Sequence, residues 1–255
     1  MRQLFTNNSF NDTWDGIGRK INNHLIGLDE NKKDDKQKIL ELCQIGKLIC
    51  SYFDDFEIAK VCERPDFLIS NGVVTIGLEH QLILDSEAKS KEGFYENIFN
   101  KVERNLIQDD SLPNFLLNVL IKKDADLTVN NKDEIINQLT DILKGCILTG
   151  ELRKNEYIIS ARSMRHSRKS ISANYGAYLQ RSIDNNLILE FLKKKEGKID
   201  SYVRNSVPTQ WLVLVIGGLG ESSYEVDNQF EVNIKTRFEK VFLYEDFRNR
   251  LYELK

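Results

Sequence analysis

The run DFLISNGVVTIGLEHQLIL, residues 66–84, constrains the fold more than any other stretch of the chain. Two β-rich segments flank Asn71-Gly72, a dipeptide that accepts the positive φ angles of a tight hairpin turn at low cost. With a two-residue turn, Asp66 faces Gly77 and Arg64 faces Glu79. Side chains alternate across a strand. One face then carries Phe67, Ile69, Val74, Ile76 and Leu78, an apolar core face. The other carries Asp66, Leu68, Ser70, Val73, Thr75, Gly77, Glu79 and Gln81. On that second face Asp66 and Glu79 are diagonal neighbours, with Cα atoms about 7–8 Å apart or less. Gly77 leaves open space between them. Two carboxylates converging on one gap suit a hard divalent cation, which takes oxygen ligands and keeps several waters. Without a cation the like charges repel and raise one pKa.

The rest of the chain alternates helical and strand patterns. Asp34–Phe53 has apolar residues near a 3.6 period and is expected to be a helix, as are Gly93–Ile107, Asp133–Leu143 and a long Asn185–Arg204. Phe115–Ile121, Glu156–Ala161 and Trp211–Gly217 read as strands, and the tail gives VFLYEDF and RLYELK as two more. The class is α/β with a mixed sheet. With three prolines, no linker marks a boundary, and one domain over 1–255 is expected: an irregular Asn-rich cap (1–30), a core (34–217) and C-terminal extension strands (218–255).

Composition excludes some classes. The chain shows no apolar run of the ~20 residues a membrane helix requires, and the N-terminus shows no secretory pattern, so a cytoplasmic protein is expected. Four cysteines without a CxxC pair read as reduced core residues. The net charge is −3, yet Arg153–Arg181 holds seven Lys/Arg and one acid, Glu156. Within this island Arg153, Lys154, Arg162, Arg165, Arg168 and Lys169 are candidate phosphate contacts, with Tyr157, Tyr175 and Tyr178 interleaved for stacking. Its alternative is a solvated loop.

Pro65-Asp66, a hairpin, and Glu79-His80-Gln81 together resemble the PD-(D/E)XK nuclease superfamily, in which a Pro-Asp precedes a strand bearing Asp/Glu-x-Lys. The resemblance extends loosely over residues 38–255 through LKKKEGKIDSYVRN, WLVLVI and the tail. It implies a restriction-endonuclease-like mixed sheet flanked by helices and a nuclease using Mg²⁺ or Mn²⁺, acting on DNA rather than RNA. It further implies a role in restriction or defence and a possible homodimer. Asp66 and Glu79 would hold the metal, with the His80 carbonyl and Glu41 (alternatively Glu30) as further ligands. The superfamily lysine is replaced by Gln81, which can position a water but cannot carry charge or act as a base. Lys89, Lys91, Lys195 and Lys198 are candidates to replace it.

Two rivals follow from the same residues. One is a non-catalytic module of nuclease fold that binds nucleic acid or a protein. The other is an α/β protein in which Glu79 pairs with Arg64 across the hairpin. The side chain of His80 is read as a core histidine, Gly217–Ser222 as a strand-ending turn, and Lys193–Lys195 as a solvated helix face.

Overall fold

The computed structural model describes residues 2–5, 10–122, 125, 131–174, 180–227, 230 and 232–255, with residues 10–12 described by backbone alone. Tyr175 and Tyr178 lie outside the described residues. In chain order the elements are β1 (Arg2–Leu4), α1 (Phe10–Leu25), α2 (Lys33–Tyr52), β2 (Glu57–Val61), β3 (Phe67–Ser70), β4 (Thr75–Leu82), α3 (Ser86–Ile107), β5 (Phe115–Ile121) and α4 (Lys132–Thr149). They continue with β6 (Ile158–Arg165), β7 (Ser170–Asn174), β8 (Arg181–Ser182), α5 (Asn185–Glu196), α6 (Ile199–Asn205), β9 (Gln210–Ile216), β10 (Tyr224–Glu225), β11 (Lys240–Glu245) and β12 (Arg250–Glu253). None of the described helices is long and apolar enough to cross a membrane.

Where one domain was expected, the chain divides into two compact units. The first holds Met1–Leu84 and Gln180–Lys255; the second, Asp85–Leu179, is inserted between β4 and β8. The first unit is built on a mixed seven-stranded sheet in the order β1-β12-β11-β9-β4-β3-β2. β4, β9 and β11 are mutually parallel neighbours, while β2, β3 and β4 form an antiparallel meander. One sheet face packs Phe67, Ile69, Ile76, Leu78, Val213 and Val215 against Ile45, Leu48 and Ile49 of α2 and Ile17 and Ile21 of α1. The opposite face packs Leu212, Leu214 and Leu243 against Ile188 and Leu192 of α5 and Ile199 and Tyr202 of α6.

Three segments depart from expectation. Residues 10–25, read as irregular because Asn is a poor helix former, are helical. The gain comes from packing: Ile17 and Ile21 are buried on α2, and Gly46 lies so close that a Cβ there would stand 2.5 Å from the Ile21 side chain. Tertiary burial overrides propensity here. The helix expected over Asn185–Arg204 is broken at Gly197-Lys198 into α5 and α6. The tail strands, expected as an extension, lie within the main sheet, with β11 beside β9.

In the second unit, β5 is flanked by antiparallel β6 and parallel β7. Phe115, Leu117, Val119 and Ile121 of β5 are buried against Ile98, Val102 and Leu106 of α3 and Ile135, Leu139 and Leu143 of α4. α3 starts seven residues before the expected Gly93 because the Asp85 carboxylate caps it, accepting from the Glu87 and Ala88 backbone N–H groups.

Candidate metal centre

The hairpin register differs from the two-residue-turn reading. Ser70 pairs with Thr75 and Phe67 with Leu78, so the loop is Asn71–Val74. The Asn71 side chain causes this: its Oδ1 accepts from the Val73 and Val74 backbone N–H groups, and Gly72 takes φ +84. Val73 and Val74, expected on strand faces, are exposed loop residues. Because facing partners move by two residues, every other side chain keeps its expected face. One step beyond Phe67–Leu78, Asp66 comes opposite Glu79 instead of Gly77. Asp66 Oδ2 accepts from the His80 backbone N–H at 2.8 Å.

Gly77 does not leave an open gap. It stands beside Gln210 of β9, and a Cβ on Gly77 would lie 2.3 Å from the Gln210 side chain. Gln210 is buried, its amide nitrogen donating to Ser206 Oγ at 3.1 Å and to the Val207 carbonyl.

Glu79 is 4% exposed. Its Oε1 accepts from Lys195 Nζ at 2.6 Å and from the Tyr202 hydroxyl at 2.8 Å. Lys195 Nζ also donates to the His80 carbonyl at 3.2 Å. The pair imagined between Arg64 and Glu79 is therefore replaced: the cation on Glu79 comes from α5. Glu79 Oε2 is buried with no hydrogen-bond partner. An orphaned carboxylate oxygen away from water is costly.

The electrostatics agree with crowding of negative charge. Burial first, and then the Glu79 charge, push Asp66 up from 3.8 to about 7, while the His80 N–H and Lys195 pull the other way. Burial and the Glu79 hydrogen bond raise the Tyr202 phenol, keeping it a donor. His80, on the opposite face, is lowered to about 3 chiefly by burial, and its Nε2 meets Gln44 Oε1 at 2.9 Å. It is a satisfied core histidine, and only its carbonyl faces the acids' cation.

The other sequence candidates are placed as follows. Gln81 shares the face of Glu79, but its amide donates to the Leu82 carbonyl at 2.7 Å. Glu41 accepts from Gln37 at 3.0 Å and pairs with Lys38 at 3.5 Å; its charge is the last of the influences on Asp66. Lys198 is exposed at the start of α6. Lys89 and Lys91 stand on α3 of the second unit, where Lys89 pairs with Glu92 at 3.4 Å and Lys91 lies 5.5 Å from the Tyr95 ring centre. Of the Lys193–Lys195 run, Lys194 pairs with Glu190 on the surface while Lys195 turns inward.

Sequence reasoning missed Tyr202 and Gln210. Lys195 and Tyr202 are seven apart in a stretch expected as one helix, but the break at Gly197-Lys198 puts them on α5 and α6, so helix phase alone does not bring them together. Nothing in the sequence singled out Gln210.

Among the described residues no three His, Cys, Asp or Glu side chains converge as a metal site. The donor set is two carboxylates and a carbonyl. That set still fits Mg²⁺, which binds through one or two carboxylates and keeps several waters, and the orphaned Glu79 Oε2 supplies a ready ligand atom.

No protein-family model, no curated protein and no solved structure matches the chain.

Proposed function

We propose that the first unit is a metal-dependent nuclease of PD-(D/E)XK type that hydrolyses phosphodiester bonds in DNA, serving in restriction or defence. The observation carrying this reading is the juxtaposition of buried Glu79 and half-buried Asp66 with one inward lysine, where Glu79 Oε2 has no partner. The succession α2, the β3–β4 hairpin, α5 and α6, then β9 also supports it, since it follows the helix–hairpin–helix–strand order the resemblance implies.

Asp66 Oδ and Glu79 Oε2 would hold Mg²⁺ or Mn²⁺, with the His80 carbonyl as a further oxygen. Bound there, the ion would lower the pKa of a coordinated water and neutralise charge developing on the scissile phosphate. The chain's own groups do the rest. Asp66, raised to about 7 by burial and the Glu79 charge, would supply its carboxylate as a ligand on losing its proton. Tyr202 donates to Glu79 and fixes the rotamer that leaves Oε2 free. Lys195 brings the positive charge that Gln81 lacks, from a helix more than a hundred residues downstream. With a cation beside Glu79, the Lys195 ammonium would be the positive side-chain group nearest the acids.

The test is degradation of plasmid, single-stranded DNA and RNA with Mg²⁺ or Mn²⁺, comparing the wild type with folded Asp66→Ala and Glu79→Ala. Cleavage of DNA by the wild type alone is expected. Equal cleavage by all three would place any activity elsewhere. No cleavage by any would move the assignment to a non-catalytic module, with Gln81 as the reason.

A further inference from the structure

The second unit has one sheet face packed under helices and one face turned to solvent. The ladder fixes which residues stand where. Inward rows are Ala161–Val119–Ala173 and Ser163–Leu117–Ile171, read from β6 across β5 to β7. Ala161, Ile171 and Ala173 lie against the core under α3 and α4. Outward rows are Ser160–Leu120–Asn174, Arg162–Asn118–Ser172 and Met164–Leu116–Ser170. On this face Ser160, Arg162, Met164, Asn118, Ser172 and Asn174 are exposed.

The chemistry of that face is one-sided. None of its nine positions is a carboxylate, in a chain of net charge −3. Arg162 stands at its centre on the edge strand, among serine hydroxyls and asparagine amides. Arg168 is exposed in the turn between β6 and β7, and Arg153 and Lys154 are exposed on the approach to β6, whereas Arg165, opposite Phe115, continues the inward rows. Lys169 differs from these: its ammonium donates to the carbonyls of Ile107 and Asp109 and is spent on holding the turn.

From this we infer that the open face of the inserted sheet is a docking surface for the phosphate backbone of duplex DNA, working without metal and without base readout. Arginine forks, hydroxyls and side-chain amides are the donors that hold phosphate oxygens in protein–DNA contacts. None of these nine described positions is an aromatic side chain on which unstacked bases could lie, the platform that single-strand binders commonly use. A duplex keeps its bases stacked inside and offers a regular ridge of phosphates. The inference rests on the nuclease reading only for choosing DNA among polyanions.

The test measures binding of a fluorescent 30-base-pair DNA duplex to the full chain by anisotropy, in EDTA, across a series of salt concentrations. The comparison is among the wild type, Arg153→Ala/Arg162→Ala/Arg168→Ala, and Lys32→Ala/Lys33→Ala/Lys36→Ala, a control removing three exposed cations from the first unit. Expected are salt-dependent binding by the wild type and the lysine control, and a loss of at least ~10-fold in the arginine variant. The salt slope should fall by about 2–3 in the arginine variant, near 0.9 for each phosphate that is no longer neutralised. Equal losses in both variants would reduce the effect to net charge and overturn the inference. So would an arginine variant that binds like the wild type, a wild type that does not bind duplex, or one that prefers single strands. Because no divalent ion is present, a failed nuclease reading leaves these outcomes unaffected. Loss of cleavage with intact arginine-dependent binding would mark that case.

Discussion

Glu79 and His80 are neighbours in sequence, both buried at 4% and 6% exposure, and they point to opposite faces of one strand. On the α2 side, His80 meets Gln44, whose amide nitrogen reaches Asp246 Oδ2 at 3.2 Å, and Asp246 is neutralised by Lys47 at 3.1 Å. The polar chain ends on a charge pair and leaves His80 satisfied. On the other side, Glu79 has a lysine and a phenol on one oxygen and none on the other, with Asp66 held near neutrality's edge beside it. Burial is the same on both faces, so burial does not mark the site. What separates them is an unsatisfied valence of defined sign: the His80 face is closed, and the Glu79 face leaves one carboxylate oxygen without a partner.

The comparison is broken most severely at Glu79. Glu79→Gln keeps an acceptor for Lys195 and Tyr202 but removes the ligand charge, and DNA cleavage should fall by ~100-fold or more, the scale lost when a charge-stabilising group leaves a reacting centre. Next comes Lys195→Met, which leaves a buried carboxylate without its counter-ion. We expect a loss of about 3 kcal/mol in urea denaturation, and Mn²⁺ should recover more stability in this variant than in the wild type, because the ion replaces the missing charge.

Asp66 gives a pH-dependent effect. Its folded pKa of about 7 lies above the ordinary 3.8, so the folded chain keeps a proton that the unfolded chain loses in between. The group therefore costs stability increasingly as pH rises from about 4 to 7. Asp66→Asn should be more stable than the wild type at pH 8, by a few kcal/mol at most, with the advantage vanishing near pH 4. The smallest effect belongs to the closed face. His80→Leu should cost about 1–3 kcal/mol by stranding Gln44, with cleavage per folded molecule unchanged; a loss of activity as large as that of Glu79→Gln would erase the distinction between the faces.

Part of this was legible in the sequence. The period-2 alternation of residues 66–82 fixed which side chains share a face, and that survived a register different from the one expected. The register itself turned on the Asn71 side chain bonding two backbone N–H groups, a detail the dipeptide Asn-Gly does not disclose. α1 was hidden because Asn-rich composition speaks against a helix that packing on Gly46 stabilises. The boundaries of the inserted unit carry no proline linker or shift in composition, and so leave no mark. The lysine was ambiguous for a physical reason: the groups completing the Glu79 site arrive from α5 and α6, and only spatial proximity chooses Lys195 among four candidates.

The most direct test of the central claim is Mn²⁺ binding to the metal-free chain, followed by electron paramagnetic resonance at pH 8 and pH 6. The account predicts one ion bound at pH 8, weaker binding at pH 6 as Asp66 takes up its proton, and loss of binding in both Asp66→Asn and Glu79→Gln. Equal Mn²⁺ binding by the wild type and both variants would contradict it, and the two carboxylates would then be a buried structural pair.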